Sequence, residues 1–245
     1  MTAAVSPVAE GQSLWQERGA GLPGKDYPMI DFAAARRAMV DCQVRPSDVT
    51  RYPIIAAMLS VAREEFVPLA QRDVAYAGDH IPLGGDRVIL DARTMGMMLD
   101  AADLAAGDLV LDVGTGLGYG AALMAQMADA VVALESDAEL SESAARILLE
   151  QGVLNAVVEQ GSLLEGAPAH GPYDLILFEG AVEDVPPAYL DQVKVGGRIV
   201  AIFSDGPVGQ CRVGRRTDAG ITWRRAFDAT APVLPGFVIE KSFEF

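Results

Sequence analysis

Strands and helices alternate between Leu109 and Phe203, and this alternation predicts an α/β fold in which a parallel sheet is covered by helices on both faces. Two further observations refine it. A short apolar run over residues 109–113 leads into closely spaced glycines and then a helical stretch, so strand, helix and strand follow in quick succession. Past Ser204 the helical pattern stops and two strand-like segments follow, which adds antiparallel strands on the carboxy-terminal side.

Taken in order, residues 1–28 are rich in Gly, Ala, Ser and Pro without a sustained apolar period, the composition of a flexible leader. The single domain is therefore expected over 29–245, with 29–106 mainly helical and 107–245 forming the core. Residues 30–43 are Ala-rich and Arg-bearing and predict a helix, after which Pro46 and a cap at Ser47 or Asp48 introduce the next. Ile54, Ile55, Met58, Leu59 and Ala62 fall at helical spacing on one apolar face. Residues 68–87, with Pro82 and the pair Gly84 and Gly85, read as irregular connection, and 91–104 as a helix. In the core, strands are expected at 109–113, 130–134, 156–159, 173–178 and 198–203. Helices are expected up to about 128, over 137–151 and over 187–194. Segments 210–216 and 221–227 pair around Asp218 and Gly220, and 237–245 supplies a last edge strand.

The composition closes several doors. Against 19 basic side chains stand 34 acidic ones, a net charge of -15, which repels a phosphate backbone and argues against nucleic acid as a partner. Cys42 and Cys211 are too far apart in sequence to suggest a framework, and His80 and His170 show no ligand spacing, so no metal is expected. The longest apolar stretch, 109–134, is interrupted by Asp112, Gln126 and Asp129 and is no membrane span. A cytoplasmic location is the expectation, where thiols stay reduced.

The most informative stretch is the glycine loop, with Gly114, Thr115, Gly116, Gly118 and Tyr119 following Asp112. Glycines after a strand let a backbone approach a ligand closely. The spacing is Gly-x-Gly-x-Gly with a carboxylate two residues ahead, which disfavours a pyrophosphate and favours the cationic cofactor S-adenosylmethionine. Glu135 ends the second strand about 20 residues on, a place from which a carboxylate accepts ribose hydroxyls. Ser136 and Glu139 then suggest a capping box.

From residue 39 to 200 the chain resembles the protein-L-isoaspartate O-methyltransferase family. The likeness rests on 39–46 (MVDCQVRP), on 57–68 (AMLSVAREEFVP), and on Ala75 and Tyr76 with Ile81, Pro82, Leu83 and Gly84. It continues through the glycine loop, Pro172, Tyr173, Asp174, Leu175 and Ile176, Pro186, and Val195 to Ile199. The resemblance implies a Rossmann-like S-adenosylmethionine-dependent methyltransferase with an amino-terminal helical cap, acting on a peptide or protein carboxylate in protein repair. Two departures stand out. The family's Ile-Ser-Gln-Pro falls on the expected substrate loop Ile89, Leu90, Asp91 and Ala92, so a hydroxyl is replaced by Leu90. Its Gly-Asp-Gly, whose aspartate holds the adenine amino group, falls on Gly161, Ser162 and Leu163. Ser162, Leu163 and Glu179 complete the expected cofactor set, and no catalytic residue is assigned.

A carboxylate acceptor is already ionised at neutral pH and needs no strong base, so Leu90 does not forbid transfer, while Asp91 beside an anionic acceptor works against it. The alternatives are a methyltransferase acting on a small molecule and a non-catalytic cofactor-binding module. Arg212, Arg215, Arg216, Arg224 and Arg225 form either a docking patch or solvated faces guarding an edge, the latter favoured, with Trp223 as a packing anchor. Met95, Met97, Met98, Met124 and Met127 read as core filler, Cys42 as a small buried residue and Thr94 as a helix residue.

Overall fold

The computed structural model describes residues 30–239, so the expected leader and most of the expected last strand lie outside the described residues. Asp31 opens α1 (Phe32–Met39) by accepting the Ala34 amide at 2.9 Å. The helix then widens into a single π turn, Val40–Val44, which turns Val40 and Val44 inward and leaves Cys42 exposed, contrary to the burial expected for it. Neither Ser47 nor Asp48 caps α2 (Tyr52–Ser60): Asp48 takes the left-handed conformation (φ 63°) that closes a tight turn, and Pro53 starts the helix from within.

Residues 68–87 are more ordered than expected. They hold a 3-10 segment, Leu69–Val74, and the first strand of an antiparallel hairpin, β1 (Ile81–Gly84) with β2 (Arg87–Ile89), turned through Gly84 and Gly85 at φ 105° and 54°. Strands this short, one carrying a proline, leave no alternation to detect. Asp91 then caps α3 (Ala92–Ala102).

The core follows as β3 (Leu109–Val113), α4 (Tyr119–Ala125), β4 (Ala130–Glu135), α5 (Ala138–Glu150), β5 (Ala156–Gln160), β6 (Tyr173–Val182), α6 (Ala188–Gln192), β7 (Val193–Phe203), β8 (Gln210–Thr217) and β9 (Gly220–Asp228). The cap of α5 is Asp137, accepting the Glu139 and Leu140 amides; the Ser136 and Glu139 box does not form. Sheet order is β5-β4-β3-β6-β7-β8-β9, five parallel strands followed by two antiparallel ones. Chain order reverses beside β3, and a crevice opens at the carboxyl ends of strands at such a point.

Strand alternation sends Val110, Leu175, Leu177 and Val200 to one face, where Met58, Met95, Met98 and Leu123 of α2–α4 cover them. The opposite face, with Leu111, Ile176, Phe178 and Ile199, is covered by Tyr189 of α6 and by the irregular segment around Leu234 and Phe237. Phe237 thus serves as a plug, edge-on to Phe178 at 5.6 Å, rather than the start of a strand. In the terminal hairpin Trp223 packs edge-on to Phe203 at 4.9 Å. Four of its arginines are engaged locally: Arg212 on Asp205, Arg215 on the Gly196 carbonyl, Arg216 on the Val193 carbonyl and Arg225 on Asp228.

Candidate functional site

The site grows from the carboxyl ends of β3, β4 and β6. After Val113 the chain passes through Gly114, Gly116 and Gly118 at φ 78°, 58° and 89°, conformations that side chains resist. The Gly114 and Thr115 amides donate to the Leu134 carbonyl at 2.9 and 3.2 Å, tying the loop back onto β4.

Glu135, fully buried at the tip of β4, collects donors from three directions. The Gly116 amide reaches its Oε2 at 2.8 Å, and the Ser136 and Asp137 amides reach Oε1 at 2.8 and 3.0 Å. Arg87 of the hairpin closes the set as a two-pronged pair at 2.6 and 2.7 Å, and also donates to the Gly114 carbonyl at 2.7 Å. Roofing continues beside Arg87. A Cβ on Gly116 would lie 2.7 Å from Leu83 Cδ1, and one on Gly114 3.0 Å from Leu234 Cδ2. Outside this roof runs a groove of about 480 Å³ lined by the hairpin, Ser136, Asp137, Glu139 and Pro235.

The floor is different. Alternation along β3 and β6, in register with Asp112 beside Leu177, puts Asp112 and Glu179 on the same helix-covered face. Both are buried, and both oxygens of Asp112, Oε1 of Glu179, Thr115 Oγ1 and the Tyr119 hydroxyl have no hydrogen-bond partner among the described residues. Gly120 of α4 makes room, since a Cβ there would stand 2.0 Å from Glu179 Oε1. Burial, with the neighbouring carboxyl, pushes Glu179 well above the ordinary glutamate range, and burial pushes Asp112 up to about 6. Two ionised carboxylates only accept, whereas a proton on Glu179 makes it able to donate, so burial of the two acids side by side favours one of them carrying a proton.

Of the expected substrate loop, Ile89, Leu90 and Ala92 are buried, and the Leu90 carbonyl accepts Arg63 at 2.9 Å. The carboxylate of Asp91 is not free: it accepts the Thr94 amide and hydroxyl at 2.9 and 2.7 Å and lies 3.2 Å from His80 Nδ1. His80 Nδ1 accepts the Asp91 amide, so its Nε2 carries the hydrogen and donates to the Thr230 carbonyl at 3.0 Å. His170 stands 2.8 Å from Glu159. Each histidine thus has an acidic neighbour that sequence does not reveal. On the β5 side Gln160 lies in register with Glu135, so Ser162, exposed, and Leu163, buried, follow at the same edge; the Ser162 hydroxyl accepts the Leu164 amide at 3.3 Å. Tyr119 is buried with Arg63 over its ring at 4.7 Å. Sequence reasoning gave no site role to Leu83, Arg87 or Leu234: Leu83 entered only within the 81–84 stretch of the family likeness, and Arg87 and Leu234 carry no local signal. Among the described residues no group of three or more His, Cys, Asp or Glu is arranged to hold a metal, and no helix is long and apolar enough to cross a membrane.

A family profile described as protein-L-isoaspartate(D-aspartate) O-methyltransferase matches residues 35–221. The chain belongs to that family. Among curated members, protein-L-isoaspartate O-methyltransferases from Syntrophus aciditrophicus and Koribacter versatilis are 37% and 40% identical over 173 residues, covering 70% of this chain and 79% and 78% of theirs. One from Gloeobacter violaceus is 35% identical over 195 residues, 77% of this chain and 93% of its own. A solved protein-L-isoaspartate O-methyltransferase superposes with a TM-score of 0.72 at 23% identity, covering 82% of this chain and 66% of that one. A Plasmodium falciparum structure described as a beta-aspartate methyltransferase in complex with S-adenosyl-L-homocysteine gives 0.70 at 16% identity, covering 83% and 97%. The Rossmann-like methyltransferase fold is therefore shared with both of these structures, and the matched span includes Leu90 and Ser162.

Proposed function

We propose that the chain is an S-adenosylmethionine-dependent methyltransferase acting on the carboxyl group of isoaspartyl residues in peptides or proteins, as the names of its relatives state for them. The observation that carries the cofactor part is Asp112, whose two buried oxygens have no partner among the described residues at the end of the strand that feeds the glycine loop. A bare carboxylate there suits a ligand bearing ammonium and sulfonium charge. The residues fit the cofactor in charge and in backbone once the rim rearranges, since Glu135 is fully taken up by Arg87 and the loop amides and the side chains of Leu83 and Leu234 lie over Gly116 and Gly114.

When bound, the cofactor supplies a methyl group made electrophilic by its sulfonium. Everything else falls to the chain. Asp112 neutralises positive charge, Gly114 and Gly116 admit close backbone approach, Glu135 holds the ribose hydroxyls, and Ser162 and Leu163 flank the adenine. Ser136, Thr115, Gly118 and Tyr119 shape the loop, and Glu179 lines the floor beside Asp112 as a second buried carboxyl. The loop of Ile89, Leu90, Asp91 and Ala92 borders the acceptor. A carboxylate acceptor arrives ionised, so positioning in a dry pocket suffices, and a buried Leu90 serves to exclude water rather than to hydrogen-bond.

Isothermal calorimetry with S-adenosylhomocysteine, followed by methyl transfer to an isoaspartyl peptide, tests both halves. Binding without turnover on the peptide moves the acceptor to a small molecule, the second reading favoured by Leu90 in the family serine's position. Cell-extract labelling by the protein but not by Gly116→Arg then separates an enzyme from a silent cofactor-binding module. A cytoplasmic setting completes the proposal; Cys42 and Cys211 are both unpaired, as a reducing compartment keeps them.

A further inference from the structure

Arg87 closes the cleft from the outside while filling the position that a ligand needs. Its guanidinium is buried, pairs with both oxygens of Glu135 and bonds the Gly114 carbonyl, so it spans from the carboxylate to the glycine loop. Glu135 has no exposure to solvent, which means that no ribose reaches it while the hairpin stays down. Leu83 of the same hairpin lies directly over Gly116, its Cδ1 2.7 Å from where a Cβ would stand. The hairpin that carries both residues is narrow, four residues paired with three, and its turn is made by left-handed glycines with open space around them. Ile81 and Ile89 anchor the base of the hairpin in the core and the Gln71 side chain donates to the Pro82 carbonyl, so the part free to lift is the tip, residues 83–87, which Arg87 and Leu83 hold over the cleft.

We propose that the β1–β2 hairpin is a gate on the cofactor cleft and that Arg87 is its latch, holding Glu135 in the empty protein and releasing it when ribose hydroxyls take over the carboxylate. This rests on the cofactor reading given above. The latch competes with the ligand inside one molecule, so the observed dissociation constant is the intrinsic one divided by the fraction of molecules with the hairpin open. Removing the latch raises that fraction and tightens binding even though it removes a favourable buried contact from the empty protein. An arginine that merely supported the site has the opposite signature, losing stability and affinity together.

The test is calorimetry and thermal unfolding with S-adenosylhomocysteine on the full chain, comparing wild type, Arg87→Ala and Arg87→Gln. The expected result is a lower melting temperature for both variants without ligand, together with binding tighter by about tenfold and a larger ligand-induced rise in melting temperature. Hydrogen exchange on the wild type supplies a measurement that needs no variant: ligand should speed exchange of the amides in 83–87 while slowing those of 114–118. Protection of the hairpin by ligand, or variants that bind no tighter than wild type while wild type binds, overturns the gate and leaves the cofactor reading standing. Absence of binding by wild type and both variants, all folded, overturns both together.

Discussion

Glu135 and Asp112 stand at the ends of adjacent parallel strands, in one cleft, and meet opposite fates. Five donors within 3.0 Å converge on Glu135, whereas neither oxygen of Asp112 has a partner among the described residues. The protein completes the first carboxylate with its own groups and leaves the second unpartnered beside the buried Glu179, burial pushing both acids above their ordinary ranges. A saturated carboxylate is a structural joint until something displaces its partners; an unsatisfied one is a standing invitation to a cation or a donor. One cleft therefore holds a closed rim over an unfilled floor.

Breaking the rim has the largest expected effect. Glu135→Ala leaves the Arg87 guanidinium buried without its counter-charge and frees the Gly116, Ser136 and Asp137 amides, so unfolding stability should fall by about 3–5 kcal/mol. Urea unfolding at neutral pH measures it, and a loss under 1 kcal/mol would mean that the cluster relaxes into solvent without strain. Glu135→Gln, which keeps an oxygen for the amides but not the charge, should fall between.

The floor shows itself through pH. The carboxyl of Asp112 rises from 3.8 to about 6 on folding, and that of Glu179 rises well above 4.5. With both raised, the folded state holds protons that the unfolded state has released, so the contribution of these two groups to stability is fully present below about pH 4 and is lost as pH rises through the folded values. For Asp112 alone the decline between pH 4 and 7 amounts to about 3 kcal/mol. Glu179→Gln keeps the shape, gives Asp112 a permanent donor and removes one titration. The slope of stability against pH between 4 and 7 should then flatten and the neutral-pH stability rise by about 1–3 kcal/mol. An unchanged slope in the variant would show that the two groups do not share a proton.

How much of this was legible in the chain follows from the same contrast. Strands buried on both faces write themselves as apolar runs, so β3, β4 and β6 stand out within a residue or two at their starts, and Asp112 and Glu135 are conspicuous as acids in such runs. The partners of those acids are another matter. Arg87 lies 48 residues before Glu135 on strands of three and four residues, too short for any period, and nothing local distinguishes it from the other arginines. The meeting of Asp112 with Glu179 depends on β6 lying beside β3 in one register, a tertiary fact. Caps err by less, the box expected from Ser136 giving way to Asp137 one residue on, because both offer an oxygen at the same helix start.

A last comparison isolates burial itself. Arg212 grips Asp205 in the same two-pronged geometry as Arg87 on Glu135, at 2.7 and 2.8 Å, and stacks over Phe203 at 4.6 Å, but here Asp205 is exposed and Arg212 only partly buried. Water already serves those charges, so the pair exchanges one good solvation for another and holds two long side chains still in return. Arg212→Ala should cost only about 0.5–1 kcal/mol, part of it from the lost contact with Phe203. A double-mutant cycle with Asp205→Ala should give a coupling under about 1 kcal/mol, falling further at high salt. The equivalent cycle on Arg87 and Glu135 should give several times that and resist salt. Equal couplings in the two cycles would make geometry, and not exclusion of water, the source of the rim's strength, and the hairpin would then have no more hold on the cleft than a surface ion pair has on its loop.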